Sequence, residues 1–202
     1  MTVEAPLQVL AAQAFEAKPT LDMLSDVALS YRFYELGIGP LVAGRSVAQL
    51  PPSSKVIYIG SCGEFACHHV LELVTCETLY WSPPSIRTNM AALVEPAPPL
   101  SLPCVSRNAV ASQLSSVMCF TSPAITLCAD LVPSQLSTAS RGVENLELYA
   151  VGDYLARCQD VTIVLGITNV VGKDGRRQWR ENYGKAAMIT AEFLYEQRHL
   201  LL

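Results

Sequence analysis

Charge is scarce in this sequence. Only 16% of the 202 residues are charged, 14 Lys and Arg stand against 18 Asp and Glu, and no basic run occurs. A chain without a basic stripe is poorly equipped to neutralise phosphates, so no nucleic-acid partner is expected. Long hydrophobic runs are also missing. The apolar stretches are broken by Gly, Ser or charge well short of the ~20 residues a bilayer requires, so no membrane partner is expected either. Met1-Thr2-Val3-Glu4-Ala5-Pro6 lacks the basic opening of a secretory signal, which points to a cytoplasmic protein. No CxxC pair exists among Cys62, Cys67, Cys76, Cys104, Cys119, Cys128 and Cys158. An odd, scattered set reads as reduced thiols inside a core. Cys67-His68-His69 is no metal signature, because neighbouring side chains diverge and no second ligand pair follows at zinc spacing.

Apolar residues, by contrast, make up half of the sequence, and the mean hydropathy is +0.29. That excludes a disordered chain. The excess must enter a buried sheet, a subunit interface, or both. The length suits one domain over residues 1–202.

Hydrophobic patterning places the elements. Leu7-Gln8-Val9-Leu10-Ala11-Ala12 reads as a buried strand with Phe15-Glu16 in the turn behind it, and Pro19-Thr20-Leu21-Asp22 as a helix start. Tyr31 to Leu36 reads as a strand stopped by Gly37-Ile38-Gly39-Pro40, and Leu41 to Leu50 as a helix. Val56-Ile57-Tyr58-Ile59 is a strand closed by a loop at Gly60-Ser61-Cys62-Gly63. Six prolines between Ser82 and Pro103 predict a long loop. Strands follow at Val117 to Thr121 and Val161 to Ile167, the latter ended by Thr168-Asn169, with helices at Leu146 to Leu155 and Trp179 to Leu202. Alternating strands and helices predict an α/β fold, in which ligands bind beyond the carboxyl ends of strands.

Five of these strand ends carry a resemblance. Ala11-Ala12-Gln13-Ala14-Phe15-Glu16 is similar to the first strand-to-loop segment of the purine nucleoside phosphorylase/nucleosidase superfamily, where an acidic residue follows the strand. Gly37-Ile38-Gly39-Pro40 is similar to its GxG loop, and Val56 to Gly63 to its strand–GSAG segment. Glu144-Asn145-Leu146-Glu147 resembles its ENME element, and Gly166-Ile167-Thr168-Asn169-Val170-Val171-Gly172 its GIS(D/N)xVG element. The ENLE tetrapeptide, Asn169 and the following Trp179 resemble the futalosine hydrolase branch. The methylthioadenosine/S-adenosylhomocysteine nucleosidase branch has Asp where this chain has Asn169.

The resemblance implies a three-layer α/β/α fold around a mixed, largely parallel sheet, and a homodimer or larger homo-oligomer. It implies hydrolysis of the N-glycosidic bond of a nucleoside, without cofactor or metal. Futalosine, a 6-oxopurine nucleoside of menaquinone biosynthesis that would release hypoxanthine, is the leading substrate. The adenosyl branch, or a member that binds a nucleoside without turnover, is the alternative.

In such a reaction the ribosyl group becomes cation-like, so a carboxylate must activate water, an acceptor must hold the ribose hydroxyls, and a donor must meet the departing base. By resemblance Glu16 is the water-activating carboxylate, Glu147 the ribose clamp and Asn169 the donor to the base. An amide cannot give up a proton as Asp can, yet it can hold N7 or a 6-oxo group. Ser61, Cys62, Gly63 and Leu146 are expected to line the pocket, and Phe120, Ile125 and Thr126 to meet the purine. Taken alone, Glu16 reads as a solvated first-turn glutamate, Phe120 as core and Asn169 as a turn residue. Glu144 reads as a helix-start residue. The phosphate-binding Gly-Asp-Pro-x-Arg segment of hexameric phosphorylases is replaced here by Ala14-Phe15-Glu16-Ala17-Lys18-Pro19, which favours water as nucleophile.

Overall fold

The structure is a computed structural model that describes residues 6–27, 29–65, 69–83, 97–136 and 140–201. The chain runs β1 (Leu7–Ala11), α1 (Ala14–Asp26), β2 (Tyr31–Glu35), α2 (Pro40–Val47), β3 (Lys55–Glu64), β4 (Leu73–Trp81), β5 (Leu100–Ser101), α3 (Pro103–Ser106), β6 (Ser115–Thr121), β7 (Gly142–Glu144), α4 (Leu148–Leu155), β8 (Asp160–Val170), α5 (Gly175–Glu196) and α6 (Arg198–Leu201).

All eight strands belong to one mixed sheet. β1 pairs in parallel with β2 and β3, and β3 with β8. β6 pairs in parallel with β4 and β7. Antiparallel pairing joins β3 to β7, β4 to β5 and β4 to β8. The pairings β3–β8–β4–β6–β7–β3 therefore form a closed circuit, with β1 and β2 extending it on one side. The sheet is mixed, as the resemblance implies. β3 and β8 are long enough to pair with different partners along their length, so the sheet folds back on itself.

Alternation along β3 divides the interior. Val56 and Tyr58 join Leu10, Ile163 and the inner faces of α2 and α4 in one buried cluster. Ile57 and Ile59 join Val9, Val164 and residues of α1 and α5 in the other. Central strands apolar on both faces are what helices on both faces require. Cys62, Cys76, Cys104, Cys119 and Cys158 are buried free thiols, and Cys128 is exposed.

Several boundaries differ from the sequence reading. β3 continues through Gly60 to Glu64 as strand, because β8 and β7 supply ladder partners there. Thr168 and Asn169 likewise lie within β8. α1 begins at Ala14, so Phe15 and Glu16 occupy its first turn and Pro19 sits inside it. β4 and β7 went unread, the first mixing polar with apolar residues and the second only three residues long. In the proline-rich region β5 and α3 are short, and residues 84–96, like Cys67 and His68, lie outside the described residues.

At the last β3–β8 pair, Glu64 carries a buried carboxylate. Arg141 Nε donates to it at 2.9 Å and reaches Glu72 through Nη1 at 2.8 Å. His69 Nδ1 lies 3.2 Å from its other oxygen. A buried carboxylate needs such partners, and the arginine ties the end of β3 and the start of β4 to the start of β7.

β8 and α5 touch at Gly166, where an added Cβ would lie 2.8 Å from Ala186 Cβ, a group held by helix backbone. Gly166→Ala should therefore destabilise the protein by about 1–3 kcal/mol, read as a lower urea midpoint at unchanged slope. An unaltered midpoint would mean that the two elements are not pressed together here.

Candidate active site

The carboxyl ends of β1, β3, β7 and β8 open into one cavity of about 450 Å³, within the usual range for a small-molecule site. Glu16, Ser61, Cys62, Gly63, Leu146, Glu147 and Asn169 all line it, as does the half-exposed Ile125. Two residues do not. Phe120 is fully buried in β6, stacked on Tyr80 at 5.0 Å and edge-on to Phe65 at 5.8 Å. It is core, because β4 and β7 pair with β6 on both sides and the ring faces inward. Thr126 stands one layer back, its N–H donating to Glu144 Oε2 at 3.0 Å and its hydroxyl to Oε1.

Glu16 is 7% exposed. Its Oε1 accepts the Ser61 hydroxyl at 2.6 Å and the Ser61 N–H at 3.2 Å. Burial pushes its pKa up, and the two Ser61 bonds pull against that shift. Placing Glu16 on α1 immediately after β1, beside the continuing β3, is what lets Ser61 reach it.

Glu147 arrives from the opposite side. Its Oε1 accepts the Gly39 N–H at 2.9 Å. Gly39 has φ +86°, a conformation that glycine adopts without strain, and this turns its N–H toward the acid. Burial raises the Glu147 pKa to about 7; the Gly39 bond works against this and the charge of Glu16 adds to it. Beneath the cavity, the buried Tyr58 phenol is held well above its ordinary range, first by burial and then by the charges of Glu147 and Glu16.

Asn169 sits where the β3–β8 register shifts, between Cys62 and Gly63. An added Cβ on Gly63 would lie 2.6 Å from its Nδ2, and one on Gly175 3.0 Å. Both glycines are therefore needed for the amide to fit. Asn169 Nδ2 donates to the Val170 carbonyl at 3.2 Å, and the Thr168 hydroxyl lies 2.9 Å from Oδ1. A carbonyl only accepts, so the nitrogen must face Val170. The Thr168 hydroxyl carries one proton, for which the Cys62 carbonyl at 3.1 Å competes with the amide oxygen, and one amide hydrogen has no partner among the described residues.

Asn145 was missed from the sequence. Its Oδ1 accepts the N–H groups of Glu147 at 3.0 Å and Leu148 at 2.8 Å, and its Nδ2 donates to the Ser61 carbonyl at 3.0 Å. It caps α4 and fastens Glu147 to β3. An Asn immediately before the helical pattern of Leu146 to Leu155 is a capping signal that could have located it. Glu144 ends β7 and lines the cavity rather than starting a helix. Arg176 and Gln13 also line it, and no sequence signal marked them. Phe15 and Trp179 form an aromatic wall with Tyr183, the Trp179 and Tyr183 rings stacked at 5.0 Å.

No protein-family model matches the chain, and no curated protein matches it. Solved structures do. A 5′-methylthioadenosine/S-adenosylhomocysteine nucleosidase from Helicobacter pylori superposes with TM-score 0.74 at 13% identity, over 100% of this chain and 99% of that one. The futalosine hydrolase of Helicobacter pylori gives 0.72 at 12%, over 97% of each chain. A methylthioadenosine/S-adenosylhomocysteine nucleosidase from Colwellia psychrerythraea, solved with adenine, gives 0.74 at 13%, over 98% of this chain and 96% of that one. The chain has the fold of these nucleosidases. The nucleosidase fold covers essentially the whole sequence, in agreement with the resemblance carried by the five strand ends.

Glu147 tests the electrostatics of the site. Its folded pKa lies above its unfolded one, so the folded state binds the extra proton between roughly pH 4.5 and 7. Its contribution is most favourable at low pH and is lost as pH rises through about 7. Glu147→Gln should therefore be more stable than the wild type at pH 8, by about 1–3 kcal/mol, and nearly equal to it at pH 4.5. Urea unfolding at the two pH values measures this. A variant less stable at pH 8 would contradict the burial of an unpaired acid.

Proposed function

We propose that the protein hydrolyses the N-glycosidic bond of a purine nucleoside. The observation that carries this reading is the convergence of Glu16, Glu147 and Asn169 on one cavity. A partly dry carboxylate with one oxygen engaged by Ser61 has its other oxygen available to orient water and take its proton. Glu147, whose charged form is disfavoured by burial, gains that charge back when two ribose hydroxyls donate to it. The negative field of the two acids then offsets the positive charge growing on the sugar. Asn169 offers a hydrogen bond to the departing base.

Within that reading the base is a 6-oxopurine, and futalosine is the leading substrate. With one amide hydrogen that has no partner among the described residues, Asn169 presents a donor. A donor suits N7 or a 6-oxo group, whereas a 6-amino group asks for an acceptor. The adenosyl branch is the second reading, since two of the structural neighbours named above are nucleosidases of adenosyl compounds. Three carboxylates line the cavity against Arg176, a field that favours neutral water over phosphate as the nucleophile.

The protein is further proposed to work as a homodimer. Ile38 lines the cavity yet is 59% exposed, and Leu41 and Val42 beside it are 85% and 53% exposed. Three large apolar side chains at a cavity rim are suited to burial by a second copy. Sedimentation should give twice the mass of one chain, and Leu41→Glu should shift it to the monomer. A wild-type chain that sediments as a monomer at micromolar concentration removes this assignment.

The reaction is tested by supplying futalosine, inosine, methylthioadenosine and S-adenosylhomocysteine, with and without phosphate, and identifying the free base. Hypoxanthine should appear independently of phosphate, and Glu16→Gln should lower the rate by at least ~100-fold. Release of adenine alone would transfer the protein to the adenosyl branch. Dependence on phosphate would make it a phosphorylase.

A further inference from the structure

Trp179 does more in this structure than complete an aromatic wall. Its indole Nε1–H donates to the Ser61 hydroxyl oxygen at 3.0 Å, and the Ser61 hydroxyl lies 2.6 Å from Glu16 Oε1. An indole nitrogen only donates, and a serine hydroxyl carries one proton. The direction of the chain is therefore fixed: Trp179 to Ser61 to Glu16. With the indole on its lone pair, the Ser61 hydroxyl has its proton committed to the carboxylate. The Ser61 N–H closes on the same oxygen at 3.2 Å. Glu16 Oε1 thus receives two donors, and Oε2 is left to exchange a proton in the cavity.

The arrangement spans 118 residues between Ser61 and Trp179. Trp179 is itself held in place. Its ring stacks on Tyr183 at 5.0 Å and 24°, and Phe15, the neighbour of Glu16 on α1, lies edge-on at 6.1 Å. One face of the cavity therefore couples α5 to the acid-bearing turn of α1 both by packing and through Ser61.

We propose that Trp179 is a positioning residue: it locks the Ser61 hydroxyl as a donor to Glu16 and so selects the carboxylate oxygen that acts in the cavity. Its use in activating water rests on the function proposed above; the hydrogen-bond chain does not. Each donor along the chain strengthens the next by polarisation, and both favour the charged form of Glu16. Losing the indole N–H should weaken that form without moving the ring.

The test uses Trp179→Phe, which keeps an aromatic ring, together with Ser61→Ala. The sequence holds two tryptophans, Trp81 and Trp179, so the indole N–H resonances are readily assigned by NMR. The Trp179 resonance should shift as the Glu16 carboxyl titrates, and this response should vanish in Ser61→Ala and in Glu16→Gln. Glu147, Glu144, Arg176, Cys62 and Tyr58 are the other ionisable groups on or beneath the cavity and Tyr183 stacks on the indole, and Glu16→Gln separates their titration from that of Glu16. If the protein releases base, Trp179→Phe should lower kcat by about tenfold, the scale of one hydrogen bond between neutral groups. KM should change little. The acid limb of the kcat/KM profile should move to higher pH, because the charged carboxylate has lost support. In a Ser61→Ala background the same substitution should cost almost nothing further.

A Trp179 resonance that ignores the Glu16 titration overturns the proposal, as do losses from the two substitutions that simply multiply. A rate loss uniform across pH would assign Trp179 to packing alone. Absence of base release from every nucleoside would instead remove the proposed function, and the resonance measurement would still decide the hydrogen-bond chain.

Discussion

Two carboxylates taken out of bulk water within one cavity are the constraint around which this protein is organised. Burial disfavours the charge on Glu16 and on Glu147, and the charge of Glu16 raises the cost for Glu147. Among the described residues, neither acid is paired with a cation. Glu16 is met by the hydroxyl and N–H of Ser61, and Glu147 by the N–H of Gly39. Neutral donors of this kind hold a carboxylate in place while leaving its charge available, which an arginine pair would largely cancel. Glu64 is the contrast in the same molecule. It is equally buried, but Arg141 and His69 close on it, and its role is to join chain segments.

The scaffold is shaped to deliver those donors. β3 carries Tyr58 and Ile59 in the core and, without leaving the sheet, Ser61 to Gly63 along the cavity. The register shift after Cys62 and the missing side chains at Gly63 and Gly175 open space for Asn169. Asn145 binds the Ser61 carbonyl with one end and the first N–H groups of α4 with the other. Glu147 and Ser61, 86 positions apart in sequence, therefore move as one unit. Such bracing holds the side chains on the two sides of the cavity in a fixed relation, which the proposed reaction requires.

Much of this was legible from residue order. Apolar tetrads such as Val56 to Ile59 identify central strands because a strand covered on both faces has no polar side to display. Glu16 follows β1 and Glu147 follows β7, beyond the carboxyl ends where ligands bind in α/β sheets, and Asn169 lies near the carboxyl end of β8. Other parts were illegible for physical reasons. β4 mixes Thr75, Glu77 and Thr78 with apolar residues, and β7 is too short for any period to register. Phe120 resembled a base-stacking residue because an aromatic strand residue has the same composition whether it faces a ligand or, as here, Tyr80 and Phe65. Thr126 lies close to the site yet spends both its donors on Glu144.

By itself the sequence determined which segments must be buried, how strands and helices alternate, and which polar residues stand at strand ends. Those properties depend on neighbours a few positions away, and hydrophobic period and glycine placement record them. Only the tertiary structure decided that the strands close into a circuit, that Asn145 braces both sides of the cavity, and that Trp179 reaches Ser61. Such contacts join residues up to 118 positions apart. Their geometry is set by pairing register and helix packing, which no local pattern encodes.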